Sequence, residues 1–164
     1  MSCYTTYPHL GCFSEEARIR MAAEAVRTAF EEIVELENYG EDLNGLCGRA
    51  AVQFLLEAER LGIEGVVLVR GIGHGFCRLA DGRIVDVTAT QFHKLDGAPA
   101  DGYGPVEIGR RHEKLPSWYC QMDAWPSFEA WISDETATFF GASMSWKKDR
   151  EQVELAWKRL KGKI

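Results

Sequence analysis

No Cys-x-x-Cys pair occurs among the five cysteines of this chain, Cys3, Cys12, Cys47, Cys77 and Cys120. Zinc ribbons and fingers are built on such pairs, so no metal site is expected, and no cofactor either. An odd number of cysteines at irregular spacing is also a poor disulfide framework for a domain of this size. Long apolar runs are missing: none approaches the roughly 20 residues that span a bilayer. The opening residues MSCYTTYPHLGCFSEE contain neither the basic n-region nor the apolar h-region of a secretory signal. The expected location is therefore a reducing cytoplasm, or export without a cleavable signal peptide. Dense Lys/Arg stripes are lacking too, and the formal net charge is −6. Nucleic acid and anionic membranes are accordingly not expected as partners. There is no internal repeat and no low-complexity tract.

What remains is an ordinary globular composition, 46% hydrophobic and 27% charged over 164 residues. That predicts a single domain, 1–164, with a sizeable core. Ser14 is a candidate N-cap followed by Glu15 and Glu16, which suit a helix N-terminus. Ala22, Ala25, Val26, Ala29, Phe30, Ile33 and Leu36 then recur at helical spacing as far as about Asn38. A second helix is expected over about 46–61, with Gly62 as its natural C′ residue. The period then changes. Residues 65–71, GVVLVRG, read as a buried strand, 74–79 as a second and 84–88 as a third. Residues 94–104 are loop by composition, and 106–108 allow a short fourth strand. Helical pattern returns weakly over 126–140 and more clearly over 145–160. The expected fold class is α+β: helices packed on a small antiparallel sheet. Its catalytic core is expected over about 44–110 and its C-terminal helical region over about 126–162.

Three residues in this plan carry chemistry. Cys47 lies in the first turn of the second helix, whose positive end favours a thiolate. Gly45 and Gly48 flank it and permit close approach by a substrate. His74 and Asp86 lie on consecutive strands. An aspartate between Val85 and Val87 is unusual, because a buried carboxylate needs a partner. A histidine on the neighbouring strand is one. Thiol, base and orienting carboxylate together are the parts of a nucleophilic acyl-transfer site.

That reading imposes a condition on the turn between the two strands. With a two-residue Asp81-Gly82 loop, His74 and Asp86 would point to opposite faces. With a three-residue loop, Ala80-Asp81-Gly82, Leu79 pairs with Arg83, Asp86 faces Phe76 and His74 faces Thr88, all on one side. Val85 and Val87 then share the other face, and so does Cys77, which becomes a core residue. Asp86 is expected to hold the imidazole in the tautomer that leaves Nε2 free for the thiol proton. For an oxyanion, the Cys47 N–H is the first candidate donor. Asn44 and Gln91 are side-chain candidates, although Asn44 also suits a helix cap and Gln91 a loop bond. His9, His93 and His112 have no carboxylate placed beside them by strand pairing. Trp118, Tyr119, Trp125 and Trp131 are expected to bury the C-terminal helices against the sheet, or to line a substrate groove.

At these residues the sequence resembles the transglutaminase-like branch of the papain-like cysteine enzymes. The family's G-x-C-x-x-x-A pattern matches Gly45, Cys47 and Ala51, and ERLGIEGVVLVRG matches its Leu-Gly-Ile and following apolar strand. His74 with Phe76 is similar to the His-aromatic pair, one residue further apart than usual, and Asp86-Val87-Thr88 to Asp-Pro-Thr. The match covers about residues 44–92. Gly48 stands where the family often has an aromatic, Val87 where it has proline, and the Cys47-to-His74 gap of 27 residues is short. The resemblance implies a papain-like/transglutaminase-like core with Cys47 as nucleophile, His74 as base and acid, and Asp86 as orienting residue. It implies a protein or peptide substrate, and a bacterial effector or toxin setting with a partner or delivery protein.

The expected activity is hydrolysis of an amide or other acyl group through a Cys47 thioester, as a deamidase or peptidase. Transglutaminase or other acyl transfer is the first alternative, and a non-catalytic binding or regulatory domain that keeps the fold is the second. A third reading makes Cys47, His74 and Asp86 metal ligands; the lack of a compact ligand pair speaks against it.

Overall fold

The computed structural model describes residues 10–37, 46–92, 95, 98–100, 102–109 and 117–134, together with 151, 155 and 158. The helix expected over 145–160 lies outside the described residues except at those last three positions, which are helical. The rival histidines His9, His93 and His112 also lie outside them.

Helix α1 spans Glu15–Glu37. The Ser14 hydroxyl caps it by accepting from the Ala17 N–H at 3.1 Å. Its buried face is Ile19, Ala22, Ala23, Val26, Ala29 and Phe30, a stripe at helical spacing. Ala25, expected on that face, is exposed; Ile19 and Ala23 belong there instead. Helix α2 spans Cys47–Arg60 and is buried nearly all round, because it lies between α1 and the sheet. Its small residues allow a close seat on the strands: the Cys77 thiol donates to the Ala51 carbonyl at 3.3 Å. Arg18 of α1 donates to the carbonyls of Leu61 (2.7 Å) and Gly62 (3.0 Å), closing off the C-terminal end of α2. Gly62 has φ +66°, the left-handed C′ conformation expected of it.

Five strands follow: β1 Val67–Arg70, β2 Gly75–Arg78, β3 Ile84–Asp86, β4 Glu107–Gly109 and β5 Asp123–Trp125. They form one antiparallel sheet in the order β4-β3-β2-β1-β5. The described residues are thus mixed α+β. His74 falls one residue before β2, and β4 sits one residue later than expected. β5 is a strand the periodicity does not announce: three residues are too few for alternation to show. A short helix α3, Phe128–Ser133, is capped by Ser127 and occupies part of the weak helical stretch 126–140. No helix among the described residues is long and apolar enough to cross a membrane.

The sheet has two unlike faces. Leu68, Cys77, Leu79, Val85, Val87 and Trp125 join α1, α2 and α3 in the main core. Val69, Phe76 and Ile84 face a second cluster with Ala89, Phe92, Tyr103, Trp118 and Tyr119. The aromatic residues therefore divide. Trp125 and Trp131 bury α3 as expected, whereas Trp118 and Tyr119 cover the opposite face.

Register settles the turn. Cys77 pairs with Val85 and Arg78 with Ile84. The Leu79 N–H donates to the Arg83 carbonyl at 2.8 Å, and the Gly82 N–H to the Leu79 carbonyl at 2.9 Å. The loop is Ala80-Asp81-Gly82, with Gly82 at φ +85°, the longer turn that puts His74 and Asp86 on one side.

Candidate active site

Asp86 ends β3 with its side chain on the face away from α1. It is only 2% exposed, and His74 is 0% exposed. The Asp86 carboxylate is saturated with donors. Oδ1 accepts from the Thr88 N–H at 2.8 Å and the Thr88 hydroxyl at 3.0 Å. Oδ2 meets His74 Nε2 at 2.7 Å and accepts from the Tyr119 hydroxyl at 2.7 Å. Arg27 of α1 steadies the following segment through the Val87 carbonyl and the Thr90 hydroxyl, both at 2.9 Å.

The orientation of the imidazole corrects one expectation. Nε2, expected to be free for the thiol, is the nitrogen that Asp86 holds. Nδ1 is buried without a hydrogen-bond partner. The physical reason is reach: His74 and Asp86 lie on adjacent strands, and the far nitrogen of the ring spans that gap. This leaves Nδ1, the atom nearer the backbone, as the ring nitrogen that Asp86 does not hold. Cys47 lies near enough to the ring to help raise the His74 pKa, without a hydrogen bond to Nδ1. Cys47, Gly75 and Asp86 line one narrow crevice where the start of α2 meets the sheet.

Charge in this pair is arranged as burial and pairing dictate. Burial opposes a charged imidazole, but the Asp86 carboxylate, by charge and hydrogen bond, and then Cys47 overcome it, raising His74 from 6.5 to about 9. Burial likewise opposes a charged Asp86. The His74 charge and hydrogen bond, with Thr88 and Tyr119, outweigh it and hold the carboxyl below its ordinary value. Each partner thus favours the charged form of the other. Burial, and then the Asp86 charge, push the Cys77 thiol far up. Cys77 is an inert core thiol, whereas Cys47 is partly exposed.

An aromatic wall encloses His74. The Phe92 ring meets His74 edge-on at 4.6 Å and Tyr119 does so at 5.6 Å, while Phe76 stacks at 5.9 Å. Trp118 stacks on Phe92 at 4.7 Å. The segment Ser117–Tyr119 is seated against the turn that precedes His74, and Gly71 makes that seat possible: a Cβ there would stand 2.1 Å from the Trp118 carbonyl. Gly71→Ala is expected to displace this segment from the sheet and to cost at least about 1–3 kcal/mol, the range for overpacking. Urea unfolding of the variant measures it, and an unchanged midpoint would show that the close approach is not required.

The oxyanion candidates fare differently. In α2 the first intrahelical bond is from the Ala50 N–H to the Leu46 carbonyl, 2.9 Å. The N–H groups of Cys47, Gly48 and Arg49 precede that ladder and are not consumed by the helix. The cap position is Leu46, which makes no side-chain cap bond; Asn44 lies outside the described residues. The Gln91 amide donates to the Thr88 carbonyl and hydroxyl, both at 3.0 Å. It bonds its own loop instead of presenting a donor to the thiol. Tyr119 is a residue of the site that the sequence placed among aromatics expected to pack or to line a groove, with no role for its hydroxyl. Its sole signal was a hydroxyl in an otherwise apolar cluster.

No protein-family model, no curated protein and no solved structure matches this chain.

Proposed function

We propose that this protein is a cysteine-dependent acyl hydrolase, a deamidase or peptidase, built on a papain-like/transglutaminase-like core. Cys47 is the nucleophile, His74 the base and acid, and Asp86 the orienting residue. The observation that carries the reading is the buried His74 Nε2 to Asp86 Oδ2 bond at 2.7 Å, on an imidazole whose other nitrogen is left for a thiol at the start of a helix. A packing histidine has no need of a four-donor carboxylate behind it.

The chemistry runs as follows. The Cys47 thiol gives its proton to His74 Nδ1, and the sulfur attacks the carbonyl carbon of an amide, forming a C–S bond as the C=O π bond opens to a tetrahedral oxyanion. The N–H groups of the first turn of α2, which the helix ladder does not use, are suited to receive that oxygen. As the C–N bond breaks, the protonated His74 gives its Nδ1 proton to the nitrogen, which leaves as ammonia or an amine. The neutral imidazole then takes a proton from water, whose oxygen attacks the thioester; the C–S bond breaks, the acid leaves, and His74 returns the proton to the Cys47 sulfur. Asp86 keeps the Nε2 proton throughout and fixes the ring.

Mass spectrometry of candidate protein substrates, incubated with wild type and with Cys47→Ala, tests this. A Cys47-dependent gain of about 1 Da on Gln or Asn marks deamidation, new termini mark proteolysis, and a larger adduct marks transfer to an acceptor. If wild type and Cys47→Ala give the same products with every candidate, the reading fails.

A further inference from the structure

Asp86 Oδ2 holds two donors at equal length, His74 Nε2 and the Tyr119 hydroxyl, each at 2.7 Å. A phenol needing only a burial partner gains nothing from sharing an oxygen with the imidazole. Oδ1 is already occupied by the Thr88 N–H and hydroxyl, so the only remaining place for a donor on this carboxylate is the oxygen that faces His74. Tyr119 arrives there from a distant part of the chain, on a segment fitted against Gly71 with no room for a side chain. Its ring also meets those of His74 and Phe76 edge-on, at 5.6 and 5.2 Å. Tyr119 is 3% exposed, and burial and then the Asp86 charge keep its phenol protonated, so it is always a donor.

Two donors on one oxygen compete for the same electron density. We propose that Tyr119 is a positioning residue of the site: it fixes Asp86 Oδ2 against His74 and weakens that oxygen's pull on the Nε2 proton, making the imidazolium a better acid at Nδ1. The catalytic consequence rests on the acyl-transfer reading of Cys47; the link from Tyr119 through Asp86 to His74 does not. A carboxylate alone would stabilise the imidazolium so strongly that its proton would be slow to reach the leaving nitrogen. The phenol tempers that pull without removing the charge that orients the ring.

The test is nitrogen-15 and proton NMR of the His74 ring in the full chain, comparing wild type with Tyr119→Phe. The variant keeps the ring and removes only the donor. It is expected to move the His74 titration to higher pH by about half a unit or more, and the Nε2–H proton downfield at neutral pH. The wild-type chain labelled with 3-fluorotyrosine, a stronger phenolic donor, is expected to shift both signals the opposite way, and needs no variant to fold. A Tyr119→Phe chain that merely melts earlier, with both His74 signals unmoved, overturns the proposal, as does an unmoved signal in the fluorinated chain. Both spectra are recorded with and without Cys47→Ala. The His74 signals then report on Tyr119 even if turnover never depended on the thiol.

Discussion

Asp86→Ala is expected to lower stability by roughly 3–5 kcal/mol, the range for removing one partner of a buried ion pair. The loss has named parts: a buried imidazole without its counter-charge, a Tyr119 hydroxyl without an acceptor, and an unpaired Thr88 N–H. Domains of this kind are stable by about 5–15 kcal/mol, so a large share of the native population is at risk and a clear fall in the urea midpoint should follow. Asp86→Asn keeps the shape and an acceptor, and is expected to fold better while losing the pH dependence. The sign follows from the pair. His74 is raised from 6.5 to about 9 in the folded state, so its contribution is full below about 6.5 and is lost as pH rises through about 9. The shift corresponds to roughly 3 kcal/mol. Asp86 is lowered from 3.8, so its contribution is present above that value and lost as pH falls through its folded value. The same bond is seen from its two ends, and the two contributions are not added. Wild type should therefore be most stable between about pH 4 and 6.5 on account of this pair. Urea titrations at pH 6 and pH 9.5 check it. Equal pH slopes for wild type and Asp86→Asn would show that Asp86 does not hold a proton on His74 in the folded protein.

Cys47→Ala is expected to abolish turnover, by about a thousandfold or more, with a change in stability below about 1 kcal/mol. The contrast between the two quantities is the informative part. Cys47 is partly exposed, so trimming its sulfur opens little cavity. Cys77→Ala is the mirror case: a fully buried thiol bonded to the Ala51 carbonyl, expected to cost stability and leave turnover intact in what folds. Iodoacetamide distinguishes the thiols directly. At neutral pH Cys47 should be alkylated at least about tenfold faster than the exposed Cys12, because it is partly exposed at a helix N-terminus beside His74, and Cys77 should not react. Peptide mass spectrometry over a time course reads all three. A Cys47 no faster than Cys12 would remove the nucleophile from the proposed mechanism.

Much of the site was legible because period-two alternation is rigid. Once Gly82 was read as the left-handed residue of a three-residue turn, the shared face of His74, Phe76, Asp86 and Thr88 followed, and with it the core placement of Cys77, Val85 and Val87. The helices were legible where caps and apolar spacing agreed, as at Ser14 and Gly62. What stayed hidden was non-local. Nothing in SWYC announces that its tyrosine will reach a carboxylate 33 residues earlier, because the contact depends on how the segment is seated at Gly71. β5 was hidden for a related reason: a three-residue strand is defined by its neighbour β1, not by its own pattern. The nitrogen facing the thiol was also out of reach, since it depends on a side-chain torsion and leaves no trace in residue order.

The turn at Ala80-Asp81-Gly82 acts as a parity check on the whole site. Removing a single residue from it would exchange the two sides of β3, carrying Asp86 into the hydrocarbon of the helix layer and Val85 out beside the imidazole. Changes of even length would keep the faces in phase. Length variation here should therefore be quantised in steps of two, a constraint on insertions and deletions that acts on an exposed turn.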